Sequence, residues 1–154
     1  MAIPRPALLV ELLMSADRVI TAARESAPRP ADEWSCATIL GHLAQVDHEV
    51  WLPRIDVMVA AQQSGTAAMF TWWEPDSTAT AETHRDATVD DTSALLLASR
   101  TELLNRLRHL RDEQWAATAV HDTWGVIDVE GLMLQALAHD EEHRASILLG
   151  QAEV

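Results

Sequence analysis

The sequence contains no lysine and no tyrosine, and only one cysteine and one phenylalanine. Without lysine there is no side-chain amine for a Schiff base, and without tyrosine there is no phenolic general acid. The single cysteine, Cys36, has no partner for an intrachain disulfide, and one thiolate cannot build a Cys₂ or Cys₄ zinc site. No apolar run approaches the roughly 18 residues of a membrane span. The N-terminal segment lacks the basic stretch, long apolar stretch and small-residue cleavage site of a secretory signal. These absences make a reducing cytoplasm the expected compartment.

Positive charge is scarce as well. Eleven arginines face 24 acidic residues, for a formal net charge of −13. Nucleic acids and anionic membranes draw affinity from cationic side chains, so neither is an expected partner. The densest basic stretch, Arg106, Arg108, His109 and Arg111, reads as the solvated face of a helix. A basic set made only of arginine, beside abundant alanine, fits a GC-rich coding genome.

What is present is ordinary globular material: 154 residues, 48% hydrophobic and 23% charged. That length suits one domain, expected over residues 1–154. Apolar spacing predicts four amphipathic helices. The first runs over about residues 6–25, on Leu9, Leu12, Leu13, Ala16, Val19, Ile20 and Ala23. The second follows Ser35, a good N-cap, and carries Ile39, Leu40, Leu43, Val46, Val50, Leu52, Ile55, Met58 and Val59 towards Gly65. Pro53 inside this run predicts a kink or break near residues 47–50. The third spans about residues 92–111, capped by Asp91 or Thr92, on Leu96, Ala98, Leu103, Leu104, Leu107 and Leu110. The fourth starts after Asp128 and ends before Gly150. Residues 65 to about 90 have no clean period, and residues 116–127 read as an irregular or hairpin-like connection. Four helices of about 20 residues suffice for an all-α four-helix bundle.

Seven histidines remain to be placed. His139 and His143 are four apart, on the stripe of Leu132, Ala136 and Ile147. Residues so spaced share a helix face, and two imidazoles there can reach one ion. The segment misses the H-E-x-x-H protease motif, because Asp140 stands where that motif has glutamate. Either the pair shares a metal, or it is a hydrogen-bonded pair of core histidines. A third ligand must come from another helix. His42 is the candidate, on the face of Ile39, Leu43 and Val46, whereas His48 points elsewhere and Asp47 could rim the same site. Cys36 reads either as a nucleophile in the first turn of its helix or as a small buried residue. Phe70, Trp72 and Trp73 read either as a pocket wall or as packing against the bundle.

Several segments together resemble the DinB/YfiT-like superfamily. Trp34-Ser35 followed by Gly41-His42-Leu43 is similar to its second-helix start, and Ala138-His139-Asp140 with His143 and Ile147 to its fourth-helix signature. Asp112-Glu113-Gln114-Trp115 resembles the end of its third helix. Val120-His121-Asp122 with Trp124-Gly125 resembles its turn before the fourth, with Asp122 where proline is usual. The resemblance implies an up-down-down-up bundle with a divalent metal held by His42, His139 and His143. Zinc heads the expected metals, with nickel or iron as other occupants; Asp47 and His121 are left open as further ligands. It also implies thiol-dependent transfer, since members with assigned activities include bacillithiol and mycothiol S-transferases and a mycothiol-dependent isomerase. The expected function is therefore S-transfer from a low-molecular-weight thiol, of mycothiol type, to a small electrophile. The alternative is a non-enzymatic metal- or ligand-binding bundle. A homodimer is the expected assembly.

Overall fold

A computed structural model describes residues 3–152, with side chains described as far as Gly150. Of the domain expected over residues 1–154, residues 1, 2, 153 and 154 lie outside the described part. Four long helical elements form the body: α1 (Arg5–Glu25), α2 (Cys36–Val46) continued by α3 (Leu52–Ser64), α5 (Val89–Arg108) and α7 (Val129–Ala152). Two short helices, α4 (Ser77–Thr83) and α6 (Asp112–Trp115), lie in the connections. Among the described residues no helix is long and apolar enough to cross a membrane.

Where Pro53 predicted a kink, residues Asp47–Trp51 form a π-helical turn between α2 and α3. Proline at 53 has no N–H and crowds the carbonyl four residues back, so the ladder there widens to accept one extra residue. The Leu52 N–H accordingly bonds the Asp47 carbonyl. The turn buries Asp47, Val50 and Trp51 together.

The core falls into two apolar clusters. One gathers Leu8 and Leu12 of α1, Val50, Ile55 and Met58, Leu103 and Leu107 of α5, and Leu132 and Ala136 of α7. The other gathers Ala16 to Ala23 of α1, Ile39 to Ala44 of α2, Leu96 of α5 and Ile147 of α7. Reading each helix through the two clusters gives its direction. The first and last run from the first cluster to the second, and the middle two run back, which is the up-down-down-up order. That order makes the second and third helices parallel, so a long connection must return along the bundle. Residues 66–88 are that connection and contain β1 (Ala68–Phe70) and α4.

A small sheet closes one end, in the order β1-β2-β3, with β2 at Thr118–His121 and β3 at Gly125–Asp128. β1 pairs parallel with β2, setting Phe70 opposite His121, and β2 pairs antiparallel with β3. The hairpin-like connection expected at residues 116–127 is thus the β2–β3 hairpin, but it has a third strand that no periodicity marked.

Other boundaries shift. The third helix starts at Val89, because Thr88 and Asp91 cap each other reciprocally, at 3.1 and 2.9 Å. Asp91 is thus the N3 partner of the cap rather than the cap itself. Ala98, expected on the apolar stripe, faces solvent, while Ser99 and Arg100 are buried. Leu13 of the first stripe is exposed and Leu8 is buried in its place. Asp128 does cap α7, accepting the Gly131 N–H at 2.8 Å. The helix then runs through Gly150 to Ala152 rather than stopping before it.

Between the two apolar clusters lies a polar layer that no periodicity announced. Arg100 has no exposure to solvent. Its Nε and Nη2 donate to the Asp47 carboxylate at 3.1 and 3.2 Å. Its Nη1 and Nη2 donate to Asp140 at 2.8 and 3.1 Å, and Nη1 also donates to the Leu12 carbonyl at 2.7 Å. These bonds use all five guanidinium N–H groups. Ser99 adds a donor to Asp47, and Ser15 adds one to Asp140, each at 2.8 Å. Burial opposes the charge of Arg100, but the two carboxylates outweigh it and hold the guanidinium protonated.

Candidate metal centre

His42 sits in the middle of α2, whose first turn is fixed by Ser35 accepting the Thr38 N–H at 3.0 Å. His139 and His143 project from α7, one turn apart. The three present ligand atoms that all lie within 4.8 Å of one another. His42 packs edge-on to both, with ring centroids at 5.3 Å from His139 and 4.9 Å from His143. The Nε2 atoms of His139 and His143 are 3.2 Å apart.

Gly41 lets this part of α2 sit where it does. The His84 ring packs directly over its Cα, and any Cβ there would overlap that ring. The small residue beside His42 is therefore a matter of close approach.

All three imidazoles are held neutral. Burial, then the neighbouring His143 and His139, pushes His42 down to about 3. Burial, His143 and Arg100 push His139 down to about 4. Burial lowers His143 too, partly offset by Glu142 and Asp140. Neutral imidazole is the metal-ligating form. The buried Nδ1 atoms of His42 and His139 have no hydrogen-bond partner among the described residues. Three neutral rings converging with unpartnered nitrogens fit a divalent ion with an open position, the donor set of a catalytic zinc site.

The remaining candidates go elsewhere. Asp47 does not rim the trio, because its carboxylate is drawn into the core by Arg100 and Ser99. His48 is exposed and pairs with Glu102 at 3.4 Å. Cys36 is buried, and burial pushes its thiol up, away from a reactive thiolate. His121 lies at the end of β2, where its Nδ1 accepts the Thr123 and Trp124 backbone N–H groups at 3.0 and 3.4 Å. Among the described residues it is not one of the converging ligands. Arg106, expected on a solvated face, ties α5 to α3 by donating to Asp56 at 2.7 Å.

The trio opens into a cavity of about 450 Å³. Its walls divide the aromatic cluster between the two readings. Trp72 and Trp73 line it, while Phe70 packs on the core. So do Trp34, Trp51 and Trp124, which makes five of the six tryptophans. Trp51 falls between the apolar positions of the second helix, and Trp124 reads as a turn residue. Spacing along the chain could not bring them to the same wall, because the π-turn and the β2–β3 hairpin do so.

YfiT from Bacillus subtilis, described as a probable metal-dependent hydrolase with an unusual four-helix bundle topology, has the same fold. The match has a TM-score of 0.72 at 19% identity and covers 97% of this chain and 86% of that one. No curated protein matches the chain. The sequence profile of the DinB superfamily, in contrast, matches residues 9–147, so the chain belongs to the DinB superfamily.

Proposed function

We propose that the protein is a divalent-metal-dependent S-transferase. In this reading His42, His139 and His143 hold the ion, and a low-molecular-weight thiol of mycothiol type binds beside them and attacks a small electrophile. The observation that carries the proposal is the convergence of three neutral imidazoles, from two helices, at one cavity. A bound divalent ion lowers the pKa of a thiol and stabilises its thiolate. Among the described residues the converging donors are three neutral imidazoles, which would leave most of the cationic charge to act on the thiol. The thiol proton leaves to solvent, sulfur bonds to the electrophilic carbon, and the leaving group departs with the electron pair of the bond it breaks. Zinc suits the donor set first, and nickel and iron accept the same ligands.

One feature favours a thiol over water. A thiol ionises near pH 8.5 and bulk water near 15.7, so water needs much more help. Of the carboxylates that line the cavity, Glu74 is engaged by Trp72, and Glu142 is the one that activation of water would use. The arginine-only composition supports mycothiol through the GC-rich genome it suggests. The description of YfiT as a probable metal-dependent hydrolase supports a second reading, with water in the thiol's place.

The deciding experiment assays metal-replete protein with mycothiol, bacillithiol and glutathione against a panel of alkyl, aryl and epoxide electrophiles. Esters without thiol run beside it. Thiol-dependent product formation that is lost in His143→Ala is the expected result. Ester turnover without thiol would replace the transferase with a hydrolase, and no turnover in either arm would leave a metal-binding bundle. A homodimer in the cytoplasm completes the proposal; sedimentation gives the assembly state.

A further inference from the structure

We infer that the cavity beside the three histidines takes a neutral, planar aromatic group as the body of the electrophile. This assignment rests on the transferase reading of the site and names the substrate class that reading leaves open.

The polar ends of two wall indoles are already occupied. Trp72 Nε1 donates to Glu74 at 3.0 Å and Trp34 Nε1 donates to the Ser77 carbonyl at 3.2 Å. These bonds fix the rings and leave their apolar faces for a ligand. Trp124 is held from behind by His121, stacked at 3.9 Å with 21° between the planes. His121 in turn is pinned through its Nδ1 to the backbone of its own turn. Trp72 stands edge-on to Trp124 at 6.1 Å and is 54% exposed, although indole is the largest apolar surface a side chain offers. Trp51 stacks with Trp124 at 6.4 Å and His42 with Trp73 at 6.3 Å, so the wall is braced from within and Trp72, met only edge-on, presents the open face for stacking.

The competing ligand classes fit less well. A quaternary cation would suit the indoles and Glu142, but it would enter against the divalent ion and against Arg54, which also lines the cavity. A sugar needs many free donors and acceptors, and the polar lining is sparse: Glu74 is engaged by Trp72 and Arg54 in part by the Thr71 carbonyl at 2.7 Å, which leaves chiefly Gln135 and Glu142 among mostly indole walls. A neutral flat ring needs only the faces.

The absence of tyrosine provides the readout. All intrinsic emission comes from tryptophan, and Trp115 alone lies away from the cavity. The probe is 4-nitroanisole, a neutral quencher, titrated into zinc-loaded protein and into chelated protein. Methoxycyclohexane, methyl glucoside and tetramethylammonium are added as competitors. Saturable quenching is expected, with affinity weakened about tenfold by Trp72→Ala and by Trp73→Ala and unchanged by Trp115→Phe. Trp72 is exposed, so its replacement leaves the fold intact, as far-UV circular dichroism will show. Unchanged affinity in Trp72→Ala and Trp73→Ala together, or tighter binding of any competitor, would overturn the inference. The two readings fail separately. Ring binding with no thiol transfer removes the transferase and keeps the aromatic site. Thiol transfer confined to non-aromatic electrophiles removes the aromatic site and keeps the transferase.

Discussion

His139 and His143 bring their Nε2 atoms to 3.2 Å of each other. Two neutral imidazoles can share at most one proton across that gap, which leaves at least one lone pair facing the other ring. An ion between the rings would take both Nε2 lone pairs and draw in His42. Protein purified without chelator or metal-affinity tag is therefore expected to carry about one divalent ion per chain. Elemental analysis checks this, and His143→Ala should lose most of the metal. Full occupancy in a variant lacking all three histidines would refute the site.

The same burial sets a pH dependence. In the unfolded chain these histidines protonate near pH 6.5, while in the folded apo protein His42 stays neutral to about 3 and His139 to about 4. Between those values the unfolded state binds more protons, so stability is full above about 6.5 and falls as the pH drops through the window. Replacing the three histidines with glutamine should flatten urea-midpoint against pH between about 6.5 and 4. A slope identical to the parent's would show that these groups do not set it.

Arg100 joins Asp47 and Asp140 where water cannot reach them. Arg100→Leu alone strands two buried carboxylates and is expected to cost about 3–5 kcal/mol. Adding Asp47→Asn and Asp140→Asn should recover much of that loss, because uncharged amides need less compensation. Urea denaturation of the single and triple variants gives both numbers; equal stabilities would contradict the pairing.

Gly41→Ala drives a methyl into the His84 ring and should destabilise by about 1–3 kcal/mol, as overpacking does. His84→Ala removes the obstacle, so the double variant should regain most of the loss. Additive losses in a double-mutant cycle would mean that the glycine serves something other than this approach.

Much of the fold was legible because long stripes repeat. The Leu, Ile and Val spacing locates all four helices, Pro53 marks the irregular turn, and the i, i+4 pair His139 and His143 marks the candidate site. What spacing could not show depends on partners distant in the chain. Arg100 stands on its stripe between Leu96 and Leu103 as an apparent exception, and nothing local says that Asp47 and Asp140 will meet it. β1 is three residues long, too short for a period, and exists because β2 lies alongside it. The Thr88 cap lacks the usual capping-box pattern, because its N3 partner is aspartate rather than glutamate. The tryptophan wall gathers rings from four separate segments and so has no signature in any one of them.

The charged layer also bears on which arrangement of the helices can exist. Apolar stripes alone tolerate sliding, since leucine meets leucine after a shift of one turn, about 5.4 Å. Arg100 does not tolerate it. Its five donors meet a carbonyl on α1, a carboxylate on the π-turn and another on α7, and a one-turn slip of any of these would leave a buried charge unmatched. Asp140 follows His139 directly in the chain. The alignment that satisfies the arginine is thus the one that brings His139 and His143 level with His42, and a chain threaded one turn out of step would have neither a stable core nor a site.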